Sequence, residues 1–463
     1  MRAGIAVLAV SLAAAAPTVA QENNDLDLIP GSVSQAQTQA PPAPPAGKLF
    51  LEDAFALPAL RGGLVVPFPS PQPPLWQNRT SLDATYQWNL FPQLSASLSD
   101  RFNVIEQNDF GFPNHDNLRN DFREGYLTWE PVDRLYLEAG RVNFRNGVAL
   151  GFNPTDFFKT NTVLDQASLD PSVIREDRLG VLMLRGQAIW GGGSASLAIA
   201  PKVQSAQSVS AGEQTSGLDP RFDRTNSADR VLLSVNYDFF DLSPQVLVYH
   251  EGNRTRFGLN VSRQLGQSVV AYGEWAGGQE PTLIAQAVSY GKRTGTLPEN
   301  APVLPPSATG ASFQNDLAIG ASWTSSAKIT FNLEYHYSQA GFSAADFRNW
   351  FAIGGAHSGV PAVTGELWFI RGYAADQQQP LTQQEVFLRA DWTDAFVTNL
   401  EITAFTFVNI YNGSTLSQLS ANYYLSSAWT IGAYATATLG GGRTQYGSQP
   451  QARSIIAQAI RYF

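Results

Sequence analysis

The chain lacks cysteine altogether, and among its 463 residues only two are methionine, four are histidine and 15% are charged. Without cysteine there can be no structural disulfide, no thiolate metal site and no lipoprotein attachment. Bases are scarce: 30 Lys and Arg against 39 Asp and Glu leave a net charge of −9, the wrong balance for a nucleic-acid partner. Few segments keep a helical period beyond two turns, and none is an apolar run approaching the roughly 20 residues of a membrane helix. Low charge and little helix also argue against a soluble enzyme of this length. Phosphate-loop and dinucleotide fingerprints are missing. The histidines His115, His250, His336 and His357 have no Ser, Asp or Asn forced beside them by spacing. They therefore define neither a catalytic set nor a metal site. No enzymatic activity and no cofactor are expected.

What is present begins with an export signal over residues 1–20. Arg2 precedes an apolar run from Ala3 to Ala16, too short to cross a bilayer of about 30 Å. Pro17 opens the cleavage region, and the small residues Thr18 and Ala20 place the cut before Gln21. Residues 21–48 read as a Pro/Ala/Gln-rich periplasmic linker. Its Ala40–Gly47 stretch favours extended polyproline and cannot pack a core.

From about Thr80 the texture changes to period two. Leu82, Ala84, Tyr86, Trp88 and Leu90 share one face, and Ser81, Asp83, Thr85, Gln87 and Asn89 share the other. The same pattern recurs at Val231–Phe239, Ile329–Tyr337 and Leu400–Val408. Such segments are strands with one apolar and one polar face. Short connections at Phe91-Pro92, Pro131–Asp133, Gly191–Gly193, Asp241–Ser243, Leu265-Gly266, Ser325-Ser326, Thr393-Asp394 and Ser426-Ser427 alternate with long polar stretches such as Gln204–Ala228, Gly278–Ser312 and Gln339–Thr382. That asymmetry predicts an all-β fold: a transmembrane antiparallel barrel over residues 49–463, with short periplasmic turns and long extracellular loops. Thr80–Leu90 runs into a short turn, so an earlier upward strand is required within Leu49–Pro67, which brings the total to about eighteen. The aromatics Trp88, Phe91, Trp129, Tyr237, Phe239, Trp323, Trp392 and Trp429 fall near turns, where an interfacial girdle would lie.

Placing the apolar face against lipid puts the other face in the lumen, where Asp83, Arg101, Glu124, Glu138, Asp238, Arg254, Arg256, Glu274, Asp316, Glu334, His336, Glu385, Arg389, Asp391 and Glu401 are expected. Acids outnumber bases in this set, which predicts a cation preference. The stretch from Arg141 to Arg178, carrying Arg141, Arg145, Asn153, Pro154, Asp156, Arg175 and Arg178, is read as a loop that either folds into the lumen as a constriction or lies as a lid on the outer rim. A short helical turn is expected at Asn153–Phe158, with Asn153 as cap, Pro154 at its first position and Asp156 reaching back.

This run, from Arg141 through Asn153-Pro154-Thr155-Asp156 to Arg175-Glu176-Asp177-Arg178, resembles the alginate-export type of outer-membrane barrel and its porin-like relatives. Trp368, Arg371-Gly372-Tyr373, Phe387-Leu388-Arg389 and Trp392 add a second echo, and the carboxy-terminal Phe463 resembles a closing-strand signature that departs at Arg461. The resemblance implies an eighteen-strand barrel that conducts a polysaccharide or smaller polar solutes. The expected function is thus a porin-like outer-membrane channel, with polysaccharide export or a surface-binding barrel as alternatives. The expected partners are outer-membrane lipid and lipopolysaccharide, the barrel-assembly machinery, and the solute itself.

Overall fold

The computed structural model describes residues 47–70, 72–108, 118–207, 218–239, 242–300, 304 and 310–463. The expected signal, nearly all of the linker and His115 lie outside the described residues. Alternation of side chains makes strands wherever the chain keeps it, and eighteen are formed. In order they are β1 (Gly47–Leu60), β2 (Gln77–Phe91), β3 (Leu94–Gln107), β4 (Leu118–Val132), β5 (Leu135–Val142), β6 (Val181–Trp190), β7 (Gly193–Ala200), β8 (Arg230–Tyr237) and β9 (Gln245–Glu251). The second half comprises β10 (Arg254–Leu265), β11 (Val269–Glu280), β12 (Ser312–Thr324), β13 (Ile329–Ser338), β14 (Gln384–Trp392), β15 (Leu400–Asn409), β16 (Thr415–Ser426), β17 (Trp429–Leu439) and β18 (Gln451–Tyr462).

Each strand pairs antiparallel with its neighbours in sequence. β18 returns to β1, with Phe50 opposite Tyr462 and Ala59 opposite Arg453, so the sheet closes and no edge is left unpaired. One end carries tight turns, such as Pro92-Gln93, Asp133-Arg134 and Gly191-Gly192, together with both described termini. The other end carries the long connections 61–76, 143–180, 201–229, 281–311 and 339–383. Strand number, the position of the first strand and the turn asymmetry agree with the sequence reading.

The outer face is what separates this fold from a sandwich. Leu82, Leu127, Leu184, Leu233, Ile319, Leu333, Leu419 and Ile455 are all exposed, and so are the girdle residues Trp88, Phe91, Trp129, Tyr237, Phe239, Trp323 and Trp429. A water-soluble surface does not carry a continuous apolar belt of that size. At the closing strand, the Arg461 guanidinium lies 5.2 Å from the Trp429 ring and 5.8 Å from the Phe463 ring. The basic residue near the carboxy terminus therefore belongs to the outer aromatic girdle, snorkelling as a long cationic side chain does at an interface.

Helices occupy stretches that read as polar loops: α1 (Pro171–Glu176), α2 (Phe222–Thr225), α3 (Leu283–Thr294), α4 (Ala344–Ala356) and α5 (Pro361–Asp376). The α4 start was legible, since Ser343 and Asp346 form a capping box in which each side chain accepts the other's backbone N–H. Leu283, Ile284, Trp350, Phe351, Leu367, Trp368 and Ile370 pack with Val66 of the 61–76 connection into a small helical core at the long-loop end. Arg371 of α5 is buried between the Trp350 and Trp368 rings, 5.0 and 4.7 Å away. Its Nη1 donates to Ser448 Oγ and its Nη2 to the Gln445 carbonyl, tying the helices to the β17–β18 connection.

Candidate functional site

Inner-face residues follow from the same alternation. All the charged strand residues expected in the lumen fall on the inner side, with Arg254 at the rim of β10 and Asp238 in the turn after β8. Most of the acids are not free. Asp83 accepts from Arg101 Nε at 2.8 Å and from Arg123 Nη2 at 2.6 Å. Glu138 pairs with Arg185 at 2.9 Å, Asp316 with Arg256 at 2.6 Å, and Asp391 with Arg389 at 3.1 Å. Glu52 is joined to Arg79, and Asp121 to Arg221 and Arg119.

The sequence reading missed Arg79, Arg119, Arg123, Arg185 and Arg230, which also face inward. Arg79 shared the parity of Asp83 and was legible. Arg123 was not, because a bulge opposite Ser99 and Asp100 turns both Arg123 and Glu124 to the inside. With these arginines in place the acid excess on the wall is small, and the argument for cation preference loses most of its force.

Residues 143–180 cross the barrel interior, as the positions of their partners establish. On one side Asp177 meets Arg101 and Arg123 at 3.4 and 2.9 Å, and Asp165 meets Arg119 at 2.8 Å. On the other, Glu274 of β11 accepts from the backbone N–H groups of Val148 and Ala149 and from Thr155 Oγ1 (3.0 Å). Glu334 of β13 accepts from the Leu150 and Gly151 N–H groups at 2.6 and 2.9 Å. Arg389 of β14 donates to Asp170 at 2.8 Å, and Gln418 of β16 accepts from Ser168 and Leu169. Strands on opposite arcs of the barrel thus hold one loop between them. Gly147 (φ +95°) is required at the Glu274 latch, because an added Cβ would lie 2.5 Å from its Oε1.

The loop also covers an apolar patch inside the wall. Phe144, Phe157 and Phe158 pack on Val142, Val181, Met183, Ala198, Leu232, Leu247, Tyr249 and Ala276. Phe157 stacks on Tyr249 at 4.5 Å with near-parallel rings. His336 is buried beside Glu334 (2.8 Å) and against Phe152 and Phe387, so it serves the latch. His250 and His357 are exposed, and no group of three metal-ligating side chains occurs among the described residues.

Two expectations need correction. Asn153–Phe158 is a succession of turns, not a helix, with 3.3 and 3.4 Å bonds from Asp156 N to Asn153 O and from Lys159 N to Asp156 O. Asp156 does not reach back as a cap, because Arg178 takes it at 2.8 and 3.1 Å. The helix of this loop is α1, where Asp170 Oδ1 accepts from Ser172 N ahead of Pro171 at the first position. The same capping logic applied there would have found it. Arg141, expected in the constriction loop, ends β5 on the side of Leu137 and Ala139, the outer face. It is buried beneath α2, donating to the Gly180 and Pro220 carbonyls and lying 5.4 Å from the Phe222 ring. α2 packs against β6 at this end of the strand pair. Of the remaining loop residues, Asn153, Pro154, Asp156, Arg175 and Arg178 are buried inside, and Arg145 is exposed.

Burial without its own carboxylate pair lowers the Lys159 ammonium to about 8, with Asp156, Asp316 and Glu274 nearby partly offsetting this. Its Nζ donates to the Asn153 carbonyl at 2.6 Å and lies 4.5 Å from the Phe152 ring.

No family model matches the chain, and no curated protein matches it. Among solved structures, Pseudomonas aeruginosa OccK5 (OpdH) is 6% identical with a TM-score of 0.51, over 90% of this chain and 97% of that one. Pseudomonas aeruginosa OccK11 (OpdR) is 10% identical (TM-score 0.49, 90% and 95% covered), and the outer membrane protein opdK of the same organism is 7% identical (0.48, 90% and 98%). These comparisons lend no support to the alginate-export family. The chain is an eighteen-strand closed antiparallel barrel, and its fold is the porin type found in outer-membrane proteins.

Proposed function

We propose that this protein is a porin-like channel of the bacterial outer membrane that passes small polar solutes passively. The carrying observation is the combination of a closed eighteen-strand wall, apolar outside and polar inside, with one loop fastened across its lumen. Eighteen strands enclose more space than wall side chains fill. A loop that narrows this space converts a wide hole into a filter. The exposed apolar belt needs lipid around it, which is the basis for the outer-membrane location, with lipopolysaccharide and the assembly machinery as partners. The alginate-export reading gains nothing from the geometry: the 143–180 segment spans the interior, and Arg101, Arg123, Arg185 and Arg256 of the inner wall, which would attract a polyanion, are held in ion pairs.

Reconstitution into planar bilayers tests the reading. Discrete ohmic conductance steps are expected, with weak ion selectivity that declines further as salt rises. A protein that inserts and never conducts would overturn it.

A further inference from the structure

The same alternation that sorts the wall leaves an exception on its outer face. Among the described strand residues, few outward positions carry Asp, Glu, Lys or Arg. Glu106, Arg263, Arg453 and Arg461 stand within three residues of a strand end, and Arg141 is buried beneath α2. Only Asp53 of β1 and Asp100 of β3 lie deep in the apolar belt. Asp53 is four residues beyond Leu49, whose carbonyl accepts from the Phe463 N–H at the girdle. Asp100 is four residues beyond Ala96, the partner of the girdle residue Trp88. On strands tilted by roughly 40°, four residues raise each carboxylate about 10 Å into a belt about 25 Å tall. Apolar outward residues continue on both sides, Leu51, Phe55 and Leu57 along β1 and Leu98 and Phe102 along β3. The exposed Asp53 accepts at Oδ1 from Thr80 (2.7 Å) and Asn78 (3.0 Å), two more polar side chains on this face. Its Oδ2 has no donor among the described residues, and neither has Asp100 Oδ1. Hydrocarbon offers a carboxylate neither solvation nor donors, so groups at this depth face protein.

A second relationship says which protein. Arg453 on β18 and Glu106 on β3 flank this arc, both exposed and without an ion-pair partner among the described residues. Arg453 lies ten residues from Phe463 and Glu106 ten from Ala96, which puts them at about one level. Within one chain β1 and β2 separate them by roughly 14 Å, too far to pair. In a ring of copies about an axis along the membrane normal, with β1 and β2 facing the axis, the β18 flank of one copy meets the β3 flank of the next. Opposite charges then meet at equal depth. We propose that the outer face of β18 and β1–β3 is the contact between copies of this chain. Arg453 of one copy pairs with Glu106 of the next, and the Asp53, Thr80 and Asp100 patch is enclosed away from lipid. A different protein would have to supply both the base and the acid that this chain already carries.

The chain has no cysteine, so introduced thiols report without background. Glu106→Cys combined with Arg453→Cys, oxidised in outer membranes, should give a ladder of disulfide-linked bands, its highest rung the number of copies in the ring. Neither single variant should give that ladder. Native mass spectrometry of the unaltered protein in mild detergent should show the same multiple, and it needs no substitution. Arg453→Glu should lower the multimer about tenfold, and adding Glu106→Arg should restore it. Asp53→Leu should also lower the multimer, whereas an acid that merely faces lipid would be lost without change in mass. A single-copy mass with no ladder would overturn the proposal. So would a multimer whose double variant gives no ladder, because the contact would then lie on another face. Cross-linking of this arc to a different protein would overturn it in favour of that partner.

Discussion

Asp156 and Arg178, both within the loop that crosses the lumen, form a two-bonded ion pair with Nη1–Oδ2 at 2.8 Å and Nη2–Oδ1 at 3.1 Å. Each side chain is 1% exposed. The pair joins the Asn153–Lys159 turns to the segment leading into β6, and so fixes the loop against itself in addition to its wall contacts. Removing one member strands a buried charge, which costs about 3–5 kcal/mol. Arg178→Met should lower the temperature at which the folded form converts to the unfolded band in mild-detergent electrophoresis, and should make single-channel current noisier. Asp156→Asn combined with Arg178→Met should cost less than the two single losses added together. Additivity would show that the pair is not coupled.

The Glu274 and Glu334 carboxylates tie the loop to β11 and β13 through backbone N–H groups. Glu274→Gln keeps the shape, but an NH2 in place of Oε1 would face the Val148 and Ala149 N–H groups that now donate to it. Conductance is expected to rise as the loop loosens, with little change in barrel stability, because lumenal substitutions are tolerated far better than lipid-facing ones. Deleting residues 153–158 should raise it further. Unchanged conductance in both would mean that the loop does not limit flow.

Lys159 gives a pH dependence with a definite sign. Its folded-state pKa of about 8 lies below the ordinary 10.5. Between these values the unfolded chain keeps a proton that the folded chain has released, so stability should rise with pH across that window and be flat below it. The gain is on the order of 3 kcal/mol. Heat-modifiability measured from pH 7 to pH 10.5 checks this, and Lys159→Met should abolish the rise. A rise that survives in the variant would assign it to another group.

Closure of the barrel depends on β18 meeting β1. Deleting Phe463, which lies beside Arg461 in the outer girdle, should reduce assembly much more than deleting residues 21–46, which precede the barrel strands. Recovery of folded protein from the outer membrane, read by its heat-modifiable mobility, compares the two. Equal yields would show that the terminal ring has no part in closing the wall.

The sequence by itself determined the wall. Period-two alternation is a local property, since successive side chains on any strand must point to opposite faces. Leu82 outward and Asp83 inward could therefore be read without knowing their neighbours, and turn spacing then gave the strand number and the direction of β2. The tertiary structure alone decided what the inner face does. The bulge at Ser99 that turns Arg123 inward depends on register between two strands, and Asp177 finds Arg101 76 residues away. Glu274 and Glu334 hold loop amides more than 120 residues distant, and Gln418 holds Leu169 across 249. Arg141 failed for the same reason: its partner carbonyl belongs to Pro220, 79 residues on, just ahead of α2. Charges listed along a chain can be counted, but whether they pair is settled only when closure brings opposite arcs of the barrel onto one loop.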